Sequence, residues 1–153
     1  EPVSSLDASV RGEILSLMLQ LVRDSGIAIL VVTHDLGLAW NIADRVAVMY
    51  LGRIVEQGST EELLDDPRHP YTRALRSVVP EVERMTPQLL QGEAPDPTRI
   101  PSGCRFHPRC PVRVSGDALE LGIAARCTGE DPHLRPVPGA AAGSGHAAAC
   151  HAV

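Results

Sequence analysis

An unbroken run of six apolar residues, Ile27–Val32, leaves this 153-residue chain few ways to fold. A run of this length, rich in β-branched residues and without polar alternation, is typical of a strand covered on both faces in a parallel sheet. Before it, apolar residues recur at intervals of three and four, which predicts an amphipathic helix capped by Asp7 and ended by Gly26. This succession of helix and buried strand predicts an α/β fold.

The residues after the run predict four more elements. A second helix starts near Asp35. The segment Arg45–Ser59 predicts two short strands that turn near Leu51–Gly52. Ser59–Glu62 has the spacing of a capping box, which predicts a short helix that ends before Pro67.

Composition removes several classes of function. The chain has 14 arginines and no lysine, so it contains neither a P-loop of the form GxxxxGK[ST] nor a Schiff-base lysine. A pI of about 5.6 and an aromatic content of 3% argue against a nucleic-acid partner, because neither a basic stripe nor a stacking platform can form. The longest apolar run is too short to span a bilayer.

Prolines and cysteines divide the chain into three regions. Residues 1–80 hold 4 of the 13 prolines, while the remaining 9 prolines and all four cysteines follow. The division predicts a compact α/β part in residues 1–80 and a proline-bearing linker in residues 81–103. Residues 104–153 are predicted to form a small cysteine-bearing extension.

Two polar segments are candidate sites from their position alone. His34 follows the predicted strand, at the edge where open parallel sheets bind ligands. A histidine at a strand end is also a common structural or solvated residue. Glu1 and the polar residues up to Asp7 have, by themselves, the character of a solvated loop. Position therefore leaves both interpretations open for each segment.

Three spaced segments together resemble the second half of the nucleotide-binding domain of an ABC transporter. They are "EPVSSLD" at Glu1–Asp7, "VVTHD" at Val31–Asp35 and "ADRVAVMYLGRIVEQGS" at Ala43–Ser59. The resemblance implies that residues 1–80 are the C-terminal part of a P-loop NTPase domain of the ABC type. It also implies that the front of a longer protein precedes Glu1.

The same resemblance implies catalytic roles. Glu1 looks like the glutamate after the Walker B aspartate, which orients and polarises the attacking water. His34 looks like the switch histidine that contacts the γ-phosphate, and Ser4, Ser5 and Asp7 look like the D-loop that reaches across a dimer. In the family the Walker A loop, the glutamine loop and the signature motif precede this point. ATP and Mg²⁺ are therefore expected in the complete subunit, and the 153 residues alone are expected to be inactive.

A narrower resemblance covers most of the remaining chain. Asp65–Pro80 looks like the stretch that follows the nucleotide-binding fold in the oligopeptide, dipeptide and nickel import branch of ABC transporters. Gly92–Pro111, with "PSGCRFHPRCP", and Ala149–His151 resemble the C-terminal extension of that branch. The resemblance implies a peripheral protein on the cytoplasmic face of the membrane. Its implied partners are a second ATP-binding subunit, copy or paralogue, the membrane-spanning permease subunits and, indirectly, a peptide-binding protein.

Four cysteines are candidate metal ligands, namely Cys104, Cys110, Cys127 and Cys150. Their spacing fits neither zinc ribbons nor ferredoxins and leaves free thiols, a metal or Fe–S site, and disulfides as interpretations. Disulfides are disfavoured in a cytosolic chain. In some members of the import branch four cysteines of this extension hold a [4Fe-4S] cluster, and the resemblance implies the same here. Zinc is the alternative metal, with His107 or His151 as a substitute ligand.

A function of another class also fits the sequence. The chain could act as a truncated, non-catalytic metal-binding or interaction module in which only the cysteine-bearing part works. This alternative predicts a folded, metal-bearing segment from about Pro101 onward that survives loss of residues 1–80. The enzyme-part hypothesis predicts instead that residues 1–80 are unstable alone, because faces built for burial are exposed.

Overall fold

The computed structural model describes residues 7–79, 87–93, 95–141 and 143–153. The chain forms two compact units, Glu1–Ala43 and Asp44–Val153. The predicted linker, residues 81–103, lies partly outside the described residues and stays a prediction.

The first unit contains two helices, α1 (Ala8–Ser25) and α2 (Leu36–Ile42). Asp7 caps α1, since its Oδ1 accepts the backbone N–H of Val10 at 3.0 Å. At the other end Gly26 has φ +62° and donates its N–H to a carbonyl of the last turn. A residue in this left-handed conformation is a common helix stop, and glycine adopts it without steric cost. Both predicted ends of α1 are confirmed.

The predicted strand at Ile27–Val32 is wrong for the structure. The segment has no regular secondary structure, and all of its side chains except that of Val31 are exposed, with Leu30 at 92% and Val32 at 71%. A strand with two apolar faces forms only between neighbouring strands that supply its hydrogen bonds. In the described part of the chain no strand pairs with this segment. The apolar pattern is therefore present without the sheet that would bury it.

The second unit is built on a β-hairpin. Strands β1 (Arg45–Tyr50) and β2 (Arg53–Ser59) pair antiparallel. Leu51 and Gly52 both have positive φ, +46° and +74°, as a two-residue type I′ turn requires. The hairpin and its turn are confirmed. A non-glycine residue in this conformation is strained, and the side chain of Arg105 donates a hydrogen bond to the carbonyl of Leu51.

Two helices follow the hairpin, α3 (Thr60–Asp65) and α4 (Pro70–Ser77). The capping box is confirmed: Ser59 Oγ accepts the N–H of Glu62 at 3.1 Å, and Glu62 Oε2 accepts the N–H of Ser59 at 2.8 Å. α4 begins with a proline, whose missing N–H costs nothing at the first position.

The rest of the second unit consists of short elements. They are a 3-10 turn (His107–Arg109), α5 (Pro111–Val114), α6 (Asp117–Glu120), α7 (Ala124–Gly129), β3 (Arg135–Pro136) and β4 (Ala147–Ala148). In the described residues the sheet has four antiparallel strands in the order β1-β2-β4-β3. The α/β class is thus confirmed, with an antiparallel sheet in place of the parallel one that the apolar run predicted.

The core of the second unit lies between the hairpin and the cysteine-bearing segment. Its buried members are Val48, Tyr50, Val55, Leu63, Phe106 and Cys110. Phe106 is 1% exposed, and its ring centroid lies 5.1 Å from that of Tyr50 and 5.3 Å from that of Tyr71, in edge-to-face and tilted contacts. Such pairs add about 0.5–1.5 kcal/mol each beyond area burial. The core therefore fixes the backbone beside two of the cysteines.

Candidate functional site

His34 is an exposed residue in the short connection that leads into α2. The residues on either side of it are anchored. Thr33 Oγ1 accepts the N–H of Asp35 at 3.0 Å, and Asp35 Oδ1 accepts the N–H of Leu38 at 3.0 Å. This cap fixes the backbone that carries the imidazole while the ring stays accessible to a ligand.

A second contact of Asp35 joins this connection to α1. Arg11 Nη1 lies 3.3 Å from Asp35 Oδ2, and the two side chains are 35% and 42% exposed. An ion pair with this exposure contributes about 0.2–1 kcal/mol to stability. This contact has no signal in the sequence, because nothing in a single sequence relates residues that are 24 positions apart.

Of the residues predicted for the phosphate site, the structure describes only some. Glu1, Ser4 and Ser5 lie outside the described residues, and their roles stay predictions. Asp7 and His34 both lie in the first unit. Asp7 uses Oδ1 to cap α1, so one oxygen of its carboxylate is already engaged.

The four cysteines are free thiols in the structure. Burial, with smaller contributions from the other three thiols, raises the pKa of Cys104 to about 11. Burial likewise raises the pKa of Cys150 to about 11, with contributions from Cys110 and Cys127. These thiols are therefore protonated at neutral pH and are weak nucleophiles in this state.

Cys110 and Cys127 have more favourable surroundings for a thiolate. Burial is the main cause that raises the pKa of each, but the positive charge of Arg113 opposes it at both positions. The backbone N–H of Cys104 donates to the carbonyl of Cys127 at 3.0 Å, which ties two cysteine-bearing segments together. The structure thus brings together cysteines that are far apart in the sequence.

These thiols do not form a coordination shell in the structure. Within the described ranges no group of three or more His, Cys, Asp or Glu side chains is arranged to hold a metal ion. The two histidines considered as zinc ligands have other partners. His107 Nδ1 lies 2.9 Å from the carbonyl oxygen of Cys104, and His151 Nε2 lies 3.0 Å from that of Glu130.

A buried carboxylate on β2 is a second feature that no sequence pattern predicts. Glu56 on β2 is 0% exposed and accepts hydrogen bonds from the N–H groups of Arg68 at 2.6 Å and His69 at 2.9 Å. His146 Nε2 donates to the same carboxylate at 2.8 Å. We call these residues the Glu56 cluster. It joins β2, the start of α4 and the segment before β4, so it holds the end of the cysteine-bearing region against the hairpin.

His69 is neutral in this cluster. Burial lowers its pKa to about 3, with a further contribution from the positive charge of Arg73. The neutral ring uses Nδ1 as the acceptor for the N–H of Tyr71 at 3.0 Å and so caps α4. The motif around His69 thus has a structural role in the described residues.

Among the helices of the described residues, none combines the length and the apolar character that crossing a membrane requires.

Comparison with known proteins relates the chain to one group. Residues 55–116 match the family described as the C-terminal region of oligopeptide/dipeptide transporters. The chain is 44% identical over 154 residues to a probable peptide ABC transporter ATP-binding protein, y4tS, of Sinorhizobium fredii, in a match that covers 99% of this chain. It is 47% identical over 140 residues, 88% of this chain, to the dipeptide transport ATP-binding protein DppF of Haemophilus influenzae.

A third relative is the oligopeptide transport ATP-binding protein OppF of Escherichia coli, 48% identical over 117 residues, or 73% of this chain. The chain spans only 39%, 39% and 35% of the lengths of these three relatives. All three relatives are named as ATP-binding proteins of peptide transport, and the first as one of an ABC transporter. The chain belongs to the oligopeptide/dipeptide transporter family and corresponds to its C-terminal region. The resemblance seen in the motifs is confirmed.

Proposed function

We propose that this chain is the C-terminal part of the ATP-hydrolysing subunit of an ABC transporter that imports di- or oligopeptides. The observation that carries the proposal is the alignment with a peptide ABC transporter ATP-binding protein over 99% of the chain. The anchored position of His34 before α2 supports it further. Because the sequence contains no lysine, the phosphate cradle and the Mg²⁺ site would be formed by another part of the subunit.

The proposed chemistry is transfer of the γ-phosphoryl group of ATP to water, in which positioning and charge stabilisation supply most of the catalysis. Glu1 would hold the attacking water by a hydrogen bond and accept its proton. His34 would donate a hydrogen bond to a γ-phosphate oxygen. Ser4, Ser5 and Asp7 would contact the second nucleotide-binding domain of a dimer. Mg²⁺ bound with ATP would neutralise charge that develops on the phosphate oxygens.

The proposed partners follow from the proposed function. They are a second ATP-binding subunit, either a copy or a paralogue, and the permease subunits that cross the membrane. A peptide-binding protein would act through the permease. The complete subunit would then be a peripheral protein on the cytoplasmic face of the membrane.

The test of this function uses the complete subunit that contains these residues. Glu1→Gln should lower kcat for ATP hydrolysis by about 100-fold or more, because the amide cannot accept the proton from water. ATP binding should persist, as measured by titration with a non-hydrolysable analogue. The matched control is Glu13→Gln on the exposed surface of α1, which should leave kcat unchanged. If Glu1→Gln keeps more than half of kcat, the proposed role of this carboxylate is wrong.

We also propose that Cys104, Cys110, Cys127 and Cys150 are the ligands of a [4Fe-4S] cluster, with zinc as the alternative metal. The hydrogen bond between the backbones of Cys104 and Cys127, and the packing of Cys104 and Cys110 at the same core, support this proposal. Thiolates are the ligands that both groups prefer. Metal binding would require these side chains to rearrange, because the described residues hold no group of three or more ligands arranged for a metal ion. When bound, the cluster or zinc would cross-link the short elements of this region, which has little core of its own.

Metal analysis of the complete subunit, purified without oxygen, separates the two metals. A cluster predicts about four iron atoms and four sulfides per chain, whereas a structural zinc site predicts about one zinc. Cys110→Ser should lower the amount of metal bound per chain by half or more. Val114→Ser, at an exposed control position nearby, should leave the bound metal unchanged. Because binding releases the protons of thiols with raised pKa, affinity should rise about tenfold per pH unit for each proton released. If all four thiols react with a thiol reagent and no metal is bound after reconstitution, the proposal is wrong.

A further inference from the structure

Arg11 lies one helical turn after the segment proposed as the D-loop. Its backbone N–H donates to the carbonyl of Asp7 at 2.9 Å, so its position is fixed relative to the end of that segment. The side chain then crosses from α1 to the connection before α2, where Nη1 meets Asp35 Oδ2 at 3.3 Å. The side chain of Arg11 therefore joins α1 to the connection that carries His34.

The two carboxylate oxygens of Asp35 accept hydrogen bonds from different partners. Oδ1 accepts the N–H of Leu38 and starts α2, while Oδ2 accepts the guanidinium of Arg11. Its own N–H is held by Thr33. The residue next to His34 is thus tied to its own helix by local bonds and to α1 by one additional bond.

We propose that Arg11 is a positioning residue that holds the switch histidine His34 in place through Asp35. This inference rests on the proposed function. His34 would contact the γ-phosphate of its own site. The contact between Arg11 and Asp35 makes the placement of the imidazole depend on α1.

The contact is suited to positioning more than to stability. Both side chains are about two-fifths exposed, so their attraction is weakened by solvent. The cap of α2 and the bond to Thr33 do not involve Arg11, so α2 keeps its start without it. These local bonds hold His34 relative to α2, whereas Arg11 holds the same connection relative to α1. Loss of the guanidinium should therefore shift His34 relative to α1 without unfolding the unit, and small displacements of a catalytic group have large effects on rate.

The experiment measures ATP hydrolysis by the complete subunit in its transporter. Arg11→Ala should lower kcat about 10- to 100-fold, with KM for ATP changed less than about twofold. Asp35→Asn should have the same effect, because asparagine keeps the acceptor for Leu38 and replaces the acceptor for Arg11. The double variant should have a kcat no lower than that of either single variant, because both substitutions remove the same contact. Arg23→Ala, an exposed arginine on the same helix, is the control.

Each outcome decides one proposal. Additive losses of kcat, or an unchanged kcat in Arg11→Ala, overturn the positioning role. A fall in melting temperature that accounts for the lost activity also overturns it, because the role would then be structural. His34→Ala in the same assay tests the proposed function separately. If His34→Ala abolishes hydrolysis while Arg11→Ala does not, the positioning role alone fails; if neither matters, the proposed function of this site fails as well.

Discussion

Replacing Glu56 with alanine should lower the free energy of unfolding of the second unit by about 3–5 kcal/mol. The carboxylate is fully buried and satisfies three donors, the N–H groups of Arg68 and His69 and the Nε2 of His146. Alanine would leave these donors buried without partners, which costs about 1–3 kcal/mol each when water cannot reach them. Urea unfolding followed by far-ultraviolet circular dichroism measures the change.

Two companion variants define the origin of the effect. His146→Ala removes one donor and leaves the other two, so the loss should be about 1–3 kcal/mol. Glu61→Ala, an exposed acid on α3, is the control and should change stability by less than about 0.5 kcal/mol. Hydrogen exchange should accelerate at the N–H groups of Arg68 and His69 in the Glu56 variant. A loss below 1 kcal/mol for Glu56→Ala would show that water replaces the carboxylate and that the cluster does not hold the region together.

Local patterns predicted the local elements well. The capping box at Ser59–Glu62, the turn at Leu51–Gly52 and the end of α1 at Gly26 depend on residues within a few positions of one another. The predicted strand at Ile27–Val32 is wrong because its apolar pattern is local, whereas the hydrogen bonds of a strand come from neighbouring strands. The bond between Glu56 and His146 joins residues 90 positions apart, and β3 and β4, with two residues each, have no periodicity to detect.

The candidate sites, too, could be predicted from the sequence only in part. The positions of Glu1 and His34 came from a resemblance of spaced motifs, and the structure adds the anchoring of His34 by its neighbours. The four cysteines could not be paired or grouped from their spacing. Their proximity depends on the core around Phe106 and on the hydrogen bond between Cys104 and Cys127, which form only in the folded chain.

The glycine beside Cys104 is a sensitive point of that arrangement. Gly103 has φ +67°, and a Cβ there would lie 2.5 Å from the carbonyl carbon of Thr128 and 2.7 Å from the carbonyl oxygen of Cys127. Backbone atoms cannot rotate away as a side chain can. Gly103→Ala should therefore destabilise the second unit by about 3 kcal/mol or more, from the strained conformation and the overlap together.

A matched glycine separates the two causes. Gly122 has nearly the same φ, +68°, but a Cβ there would meet no atom within 4 Å. Gly122→Ala should thus cost only the conformational strain, about 1 kcal/mol. The overlap at position 103 should also break the hydrogen bond between Cys104 and Cys127, which opens the half-buried thiol of Cys104 further to solvent. Burial raises the pKa of Cys104, so its alkylation by iodoacetamide at pH 8 should accelerate in Gly103→Ala and stay slow in Gly122→Ala. Equal unfolding free energies and equal alkylation rates in the two variants would mean that the contact between these two segments is not maintained in solution.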